Sequence, residues 1–146
     1  EGRVVLGDFG HATTVAPTGH YAPTVPCGRG HWVYRSPEIL EGRPYGAPAD
    51  AWALGVVMFE LVTATDADAC VGNRPANVYL RDMGSWLRTA EGSETLEDVA
   101  ADTRAPDGVP IVALRLLAHD PDARATPAAV AEACVPRPLP PRPDTA

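Results

Sequence analysis

The sequence predicts a mainly α-helical domain, and three observations support this fold class. Residues Ala49 to Val62 (ADAWALGVVMFELV) form the longest apolar run of the chain. This run is apolar nearly all round and too short to cross a bilayer, which is typical of a helix buried on most sides of a globular domain. Further helical patterns follow at 109–118 and 126–134, whereas the β-branched run at 3–6 is short.

The first third of the chain is predicted to be mostly loop. Arg3 to Leu6 (RVVL) is β-branched and is a strand candidate. Residues 11–35 form a long polar stretch without a helical or alternating period, and loops of that length are usually functional or disordered. A short helix is expected from Ser36 to Leu40, because Ser36 suits an N-cap and Pro37 suits the first helical position.

The central helix and the helices after it follow from apolar spacing and from end signals. Pro48 suits a helix start, and Asp50 can place its carboxylate among the first-turn amides. The later helices are predicted at Asn77–Thr89, Glu91–Ala101, Val109–Ala118 and Thr126–Cys134. The last of them is expected to begin with Thr126 as its cap and Pro127 at its first position.

Composition excludes several classes of function. The 146-residue chain has a net charge of −7 and contains no lysine, which argues against nucleic acid or an anionic membrane as the main partner. The three cysteines, Cys27, Cys70 and Cys134, are far apart and lack the spacing of a zinc site. Reduced thiols and the lack of a signal peptide pattern predict an intracellular protein.

The first candidate for chemistry is Asp8, which follows the apolar run and precedes Phe9 and Gly10. A strand fixes the carboxylate and glycine permits a tight turn. Such a carboxylate suits Mg²⁺ held together with substrate phosphates. Taken alone this pattern is weak, because many turns that follow a strand use Asp and Gly.

Four motifs in order strengthen that interpretation. They are Val4-Val5-Leu6-Gly7-Asp8-Phe9-Gly10, Tyr34-Arg35-Ser36-Pro37-Glu38, Asp50-Ala51-Trp52-Ala53-Leu54-Gly55, and the segment from Leu116 to Thr126 containing Asp120-Pro121 and Arg124. In order and spacing they resemble the C-terminal lobe of eukaryotic-type Ser/Thr protein kinases. The resemblance implies a partial kinase lobe, with helices packed around a central buried helix and with a short β-strand and a long activation loop at the N-terminus.

The resemblance also implies roles for the first motif. Asp8, Phe9 and Gly10 would contribute to the nucleotide site, with Asp8 holding the Mg²⁺ that bridges the phosphates of ATP. Phe9 would pack so as to set active or inactive geometry. ATP and Mg²⁺ are therefore the cofactors expected for the full-length parent.

Structural roles are implied for residues of the other motifs. Glu38 and Arg124 would form a buried ion pair that fixes the activation segment to the lobe. Trp52 belongs to the motif that begins the central helix. Asp50 would accept hydrogen bonds from the backbone of a catalytic loop.

The loop of Gly30, His31 and Tyr34 is expected to dock a protein substrate, as the matching family segment does. His31 stands where Ser/Thr kinases usually carry a threonine. A weakened enzyme, an atypical viral kinase and a histidine that only packs within the loop are the open interpretations. The composition suits a herpesvirus or an actinobacterium, and the Leu-Gly-Asp-Phe-Gly start favours a herpesvirus-type kinase.

The expected organisation is a partial kinase domain at 1–134, with the activation segment at 8–38 and the helical subdomain at 36–134. The family's Gly-rich loop, strand lysine and catalytic loop precede the Asp-Phe-Gly motif, and none is identifiable here. We therefore expect a C-terminal portion of a kinase that is inactive alone and needs the N-terminal kinase segments as partner. A pseudokinase or a non-catalytic protein-binding lobe is the alternative.

A Pro-rich tail is predicted at 135–146. Residues 137–143 (RPLPPRP) carry an R-x-x-P-x-x-P pattern, which could bind an aromatic groove as a polyproline helix. A disordered Pro/Arg tail from a GC-rich genome is the favoured interpretation, because Ala, Pro, Arg and Gly are abundant together.

Overall fold

The computed structural model of the chain describes residues 5–15, 30–64, 83–101 and 115–133. The α-helices within these residues are α1 (Pro37–Leu40), α2 (Ala47–Thr63), α3 (Met83–Leu87), α4 (Ala90–Ala101) and α5 (Pro127–Ala133). Short 3-10 helices occupy Phe9–His11, Trp32–Tyr34 and Pro121–Ala123. The described residues form no β-strand, and the mainly α-helical prediction is confirmed for them.

Helix α2 is the predicted central helix, and it begins two residues before the apolar run. Gly46 is its N-cap, and Pro48 lies in the first turn together with Asp50. Proline is tolerated there because its missing N–H would have no partner within the helix. The helix ends at Thr63, and Ala64 follows in a left-handed conformation with a φ of 52°.

One face of α2 contributes most of the hydrophobic core. Trp52, Val56 and Phe59 lie at helical spacing on this face and are all buried. They pack with buried residues from the other parts of the structure, namely Val33, Met83, Trp86 and Leu117. The rings of Phe59 and Trp86 meet edge to face, with their centroids 5.6 Å apart.

A second face of α2 lies against the segment that leads to α5. Ala51 packs with Leu116, which is fully buried, and Val130 of α5 borders this cluster. Gly55 allows the close approach, since an added Cβ would lie 2.8 Å from Cβ of Leu116. Glycine is therefore needed here for packing rather than for turn geometry.

A third face of α2 is exposed. Leu54, Val57 and Leu61 lie along it and are 40%, 41% and 77% exposed. We call these three residues the α2 stripe. Burial on most sides, expected from the sequence, therefore holds for two faces of the helix, and the third carries apolar side chains into solvent.

Helices α3 and α4 are separated by two residues and lie in contact with each other. The Thr89 hydroxyl donates to the carbonyl oxygen of Trp86 at 2.7 Å and accepts from the amide of Gly92 at 3.1 Å. A side chain at Gly92 would overlap the Trp86 carbonyl. Helix α4 confirms the helix predicted at 91–101.

The remaining predicted elements have mixed outcomes. Thr126 caps α5, because its hydroxyl accepts from the amide of Ala129 at 3.2 Å, as expected. Ser36 occupies the N-cap position of α1, but its side chain makes no capping hydrogen bond. Val5 and Leu6 are exposed and do not form the expected strand, since no strand among the described residues pairs with them.

Parts of several predictions lie outside the described residues. These parts are residues 3–4 of the strand candidate, 16–29 of the long loop, 77–82 and 109–114 of two predicted helices, and the tail from Cys134 onward. None of the helices described is long and apolar enough to cross a membrane.

Candidate functional site

The end of the predicted activation segment is fixed to the helical core by a buried ion pair. Helix α1 carries Glu38 in its first turn, and its side chain is fully buried. Two nitrogens of Arg124 donate to the two carboxylate oxygens of Glu38, each at 2.6 Å. This two-point geometry is the strongest form of an arginine–carboxylate contact. The structure thus brings together the two residues that the resemblance paired.

Arg124 uses every donor of its guanidinium group. Beyond the bonds to Glu38, Nε donates to the carbonyl oxygen of Ala118 at 2.7 Å. Nη1 also donates to the carbonyl of Pro48 at 3.0 Å, and Nη2 to that of His119 at 3.1 Å. Arginine has five N–H donors, and all five are satisfied here, so its burial leaves no donor without a partner.

Trp52 forms one wall of the ion-pair site. The guanidinium carbon of Arg124 lies 5.1 Å from the centroid of the Trp52 ring, which is within reach of a cation–π interaction. The indole is itself buried in the hydrophobic core, to which α2 contributes this residue. Trp52 therefore joins the ion pair to the central helix, as a structural residue of that motif.

Two opposing effects act on the charge state of Glu38. Burial raises the pKa of its carboxyl. Hydrogen bonds from Arg124 and from the backbone amide of Glu38, together with the positive charge of Arg124, lower that pKa by more than burial raises it. The pKa of Glu38 is therefore below its ordinary value, and the carboxylate is ionised at neutral pH. The pair is a true ion pair, which provides the attraction that offsets its desolvation.

The candidate substrate loop is held from both of its ends. Gly30 has a φ of 72°, a left-handed conformation that favours glycine, and its carbonyl accepts from Nη2 of Arg35 at 2.7 Å. Val33 inserts into the core and is fully buried. The Tyr34 hydroxyl reaches Glu60 of α2 and lies 3.1 Å and 3.2 Å from its two carboxylate oxygens.

His31 lies on the exposed side of this loop. Its ring is 6.0 Å from that of Tyr34 in an edge-on arrangement and 6.1 Å from that of Trp32, measured between centroids. His31 is therefore part of an aromatic cluster at the surface of the loop. Both packing within the loop and contact with a substrate are compatible with this position.

Asp8 lies in a strained turn at the surface. It has a left-handed backbone with a φ of 58°, and its Oδ1 accepts from the amide of Gly10 at 3.4 Å. Non-glycine residues adopt this conformation uncommonly, although Asp is among those that do. Phe9 is 66% exposed, and the packing role that the resemblance implies for it stays a prediction.

Asp50 lies in the first turn of α2 and is exposed. A partner segment could therefore reach its carboxylate. Among the described residues no cluster of three or more His, Cys, Asp or Glu side chains could hold a metal by itself. Asp8 can supply one carboxylate to Mg²⁺, which suits an ion that is held mainly by phosphates and waters.

Some contacts of the site were missing from the sequence predictions. The motifs identified Glu38 and Arg124 but not Glu60, an acidic residue near the end of the apolar run that forms α2. A charged residue one turn from the end of a buried helix indicates that a polar partner lies nearby, which here is the Tyr34 hydroxyl. The carbonyls that accept from Arg124 carry no signal in the sequence, because every residue has one.

Comparisons with known proteins bear on the family. A family model described as "Protein kinase domain" matches residues 1–135. The mouse protein "Serine/threonine-protein kinase Nek1" is 45% identical over 67 residues, which is 46% of this chain and 5% of the relative. The tobacco "Mitogen-activated protein kinase kinase SIPKK" is 34% identical over 106 residues, which is 73% of this chain and 26% of the relative.

A further relative is named as inactive. The mouse "Inactive serine/threonine-protein kinase PLK5" is 30% identical over 105 residues, covering 72% of this chain and 17% of its own length. The chain thus spans between 5% and 26% of the length of these three relatives. A herpesvirus-type origin stays a prediction from composition and from the Leu-Gly-Asp-Phe-Gly start. Because the family model matches nearly the whole chain and the ion pair of the matching motifs is formed, the chain belongs to the protein kinase family, with Ser/Thr kinases among its relatives.

Proposed function

We propose that this chain is the C-terminal portion of an intracellular Ser/Thr protein kinase that transfers the γ-phosphate of ATP to protein hydroxyls. The observation that carries the proposal is the buried Glu38–Arg124 pair, which fixes the end of the activation segment beside the candidate substrate loop. An anchored segment keeps a substrate-docking loop in one geometry, and phosphoryl transfer depends largely on positioning.

The proposed site residues have two roles, binding of Mg²⁺ and positioning of the protein substrate. Asp8 holds Mg²⁺, which neutralises charge on the phosphates when it is bound. The exposed position of Asp8 leaves its carboxylate accessible to nucleotide and solvent. Gly30, His31 and Tyr34 position the protein substrate, and the bond from Tyr34 to Glu60 ties that loop to α2.

We also propose that the chain needs other kinase segments for activity. The 146 residues contain no recognisable counterpart of the family's base, strand lysine or Gly-rich loop. The α2 stripe and the exposed Asp50 support the presence of a covering partner segment, because exposed apolar patches often mark interaction surfaces.

A matched pair of variants tests the proposal. We expect the 146-residue chain alone to transfer no radiolabelled phosphate from ATP, and a longer parent protein containing it to do so. Asp8→Asn in the parent should abolish transfer, whereas Asp122→Asn, which removes the same charge from an exposed turn, should not. Transfer by the Asp8→Asn parent at the level of the Asp122→Asn parent, both above background, would contradict the role of Asp8. Transfer by the chain alone would contradict its dependence on other segments.

A pseudokinase or protein-binding lobe is the second candidate. The inactive mouse relative and the histidine at position 31 favour it. In that case the parent would show no transfer with either variant. It would still bind a protein partner through the substrate loop, and changing His31 or Tyr34 would weaken that binding.

A further inference from the structure

The hydroxyl of Ser36 is a buried polar group to which the proposed function gives no role. Ser36 is fully buried, and its Oγ has no hydrogen-bond partner. A buried polar atom without a partner destabilises the fold, and such atoms are few in native structures. The position of Ser36 in the fold therefore has to account for this hydroxyl.

Ser36 has the backbone of a helix N-cap but lacks the side-chain contact of one. Its φ of −71° and ψ of 155° are extended, and its carbonyl oxygen accepts from the amides of Ile39 and Leu40 at 3.1 Å and 3.2 Å. The side chain of an N-cap serine ordinarily accepts from the second or third amide of the helix. In α1 these amides belong to Glu38 and Ile39, and the Ser36 side chain accepts from neither.

Both of these amides already have an acceptor. The Ile39 amide donates to the Ser36 carbonyl, and the Glu38 amide donates to the carboxylate of Glu38 itself. Pro37, the first residue of α1, has no N–H to donate. The Ser36 hydroxyl lies near enough to the Glu38 carboxylate to help lower its pKa, yet it forms no hydrogen bond with it. The Glu38 carboxylate thus occupies the amide that the Ser36 side chain would cap.

The acceptor of the Glu38 amide depends on the buried ion pair. Two nitrogens of Arg124 hold the carboxylate, each at 2.6 Å, in the position from which it also accepts from its own amide. When the carboxylate leaves Arg124, the Glu38 amide loses that acceptor. A serine at the N-cap position, with an extended backbone and a hydroxyl that has no other partner, can replace it.

We propose that Ser36 is a reserve N-cap, which accepts from the Glu38 amide when Glu38 separates from Arg124 and so keeps α1 helical in the separated state. The end of the predicted activation segment then leaves the helical core with its last turn intact, and the pair re-forms without rebuilding the helix. This consequence for an activation segment rests on the proposed kinase function. The exchange of caps concerns only the fold of the chain and is tested without any kinase activity.

The first test compares one substitution in two backgrounds of the 146-residue chain by denaturant unfolding. In the unaltered chain, Ser36→Ala should leave the folding equilibrium constant unchanged or raise it, because a hydroxyl without a partner is removed. In a chain carrying Glu38→Leu and Arg124→Leu, the same change should lower that constant about fivefold, the usual effect of a lost N-cap. Replacing both charges leaves neither of them buried alone.

Thr126→Ala is the matched control, because the Thr126 hydroxyl does cap α5. It should lower the folding equilibrium constant about fivefold in the unaltered chain. A loss of the same size for Ser36→Ala in that chain would show that Ser36 has a structural role while the ion pair is intact, and would overturn the proposal. The absence of a loss for Ser36→Ala in the chain without the ion pair would overturn it as well.

A second measurement leaves the ion pair unaltered and so does not depend on the folding of the double variant. Amide hydrogen exchange, followed by NMR, reports local opening of the native chain. In Ser36→Ala the Glu38 amide should exchange about fivefold faster, because separation from Arg124 then exposes it directly. The Leu40 amide, which donates to the Ser36 carbonyl, should exchange at an unchanged rate. An unchanged rate at Glu38, or equal increases at Glu38 and Leu40, would contradict the proposal.

Discussion

Arg124 connects three separate parts of the structure through one planar group. Its contacts reach α1 through Glu38, the first turn of α2 through Pro48, and the turn before α5 through Ala118 and His119. A lysine could not replace it, because an ammonium group has three donors and cannot form the two-point contact. One residue thus fixes the relative positions of segments far apart in sequence.

The first prediction concerns loss of this pair. Glu38→Gln should lower the free energy of unfolding by about 3–5 kcal/mol, because Arg124 would be left as a buried charge without its counter-ion. Glu41→Gln removes the same charge from an exposed pair with Arg43 and should change stability by less than about 1 kcal/mol. Denaturant unfolding of both variants gives the comparison. Similar losses would show that burial of the pair does not matter.

The second prediction concerns pH. The pKa of Glu38 is lowered in the folded state, so its ionisation stabilises the fold above the ordinary carboxyl value of 4.5. As the pH falls from 4.5 through the folded pKa, the carboxylate takes up a proton and this stability is lost. We expect the unfolding midpoint to fall over that range. Glu38→Gln should flatten the dependence, and an unchanged slope in this variant would contradict the assignment.

At the scale of elements, the sequence predicted what depends on local pattern. The position of α2 followed from one apolar run, and the capping residue Thr126 from its side chain. The strand at Val5 and Leu6 failed, because a strand needs a partner that local sequence does not supply. The Tyr34–Glu60 contact was also missed, since a hydroxyl and a carboxylate in different segments carry no common pattern.

The third prediction tests the contact of α2 with the Leu116 segment. Gly55→Ala should destabilise the fold, since its Cβ would lie 2.8 Å from Cβ of Leu116 and 3.1 Å from atoms of Leu117. Overpacking costs about 1–3 kcal/mol, which exceeds the gain of about 1 kcal/mol from better helix propensity. Gly7→Ala, with no heavy atom within 4 Å, is the control. A more stable Gly55→Ala variant would show that this contact can relax.

At the scale of the whole molecule, the faces of α2 differ in their exposure to solvent. Two faces pack against described residues, and the third carries the α2 stripe into solvent. The sequence alone could not decide this, because an apolar run has the same composition whether or not a partner covers it. The same limit applies to Phe9, whose exposure could not be deduced from its motif.

The fourth prediction concerns solubility. We expect the chain alone to be marginally stable and prone to self-association through the α2 stripe. Changing Leu54, Val57 and Leu61 to Gln should increase the monomeric fraction in analytical ultracentrifugation. Changing the exposed Val5 and Leu6 to Gln should have a smaller effect, because they do not form a continuous helix face. Cooperative unfolding of an unaltered monomer in calorimetry would contradict this prediction.

The buried ion pair also has a kinetic consequence. Glu38 and Arg124 are 86 positions apart, so the pair forms only after a long loop has closed. Closing that loop lowers the entropy of the chain before the contact can stabilise the fold. An interaction absent from the folding transition state slows unfolding without speeding folding. We therefore expect the pair to form late in folding and to act mainly on the lifetime of the anchored end of the predicted activation segment, so that its loss shortens that lifetime more than it delays folding.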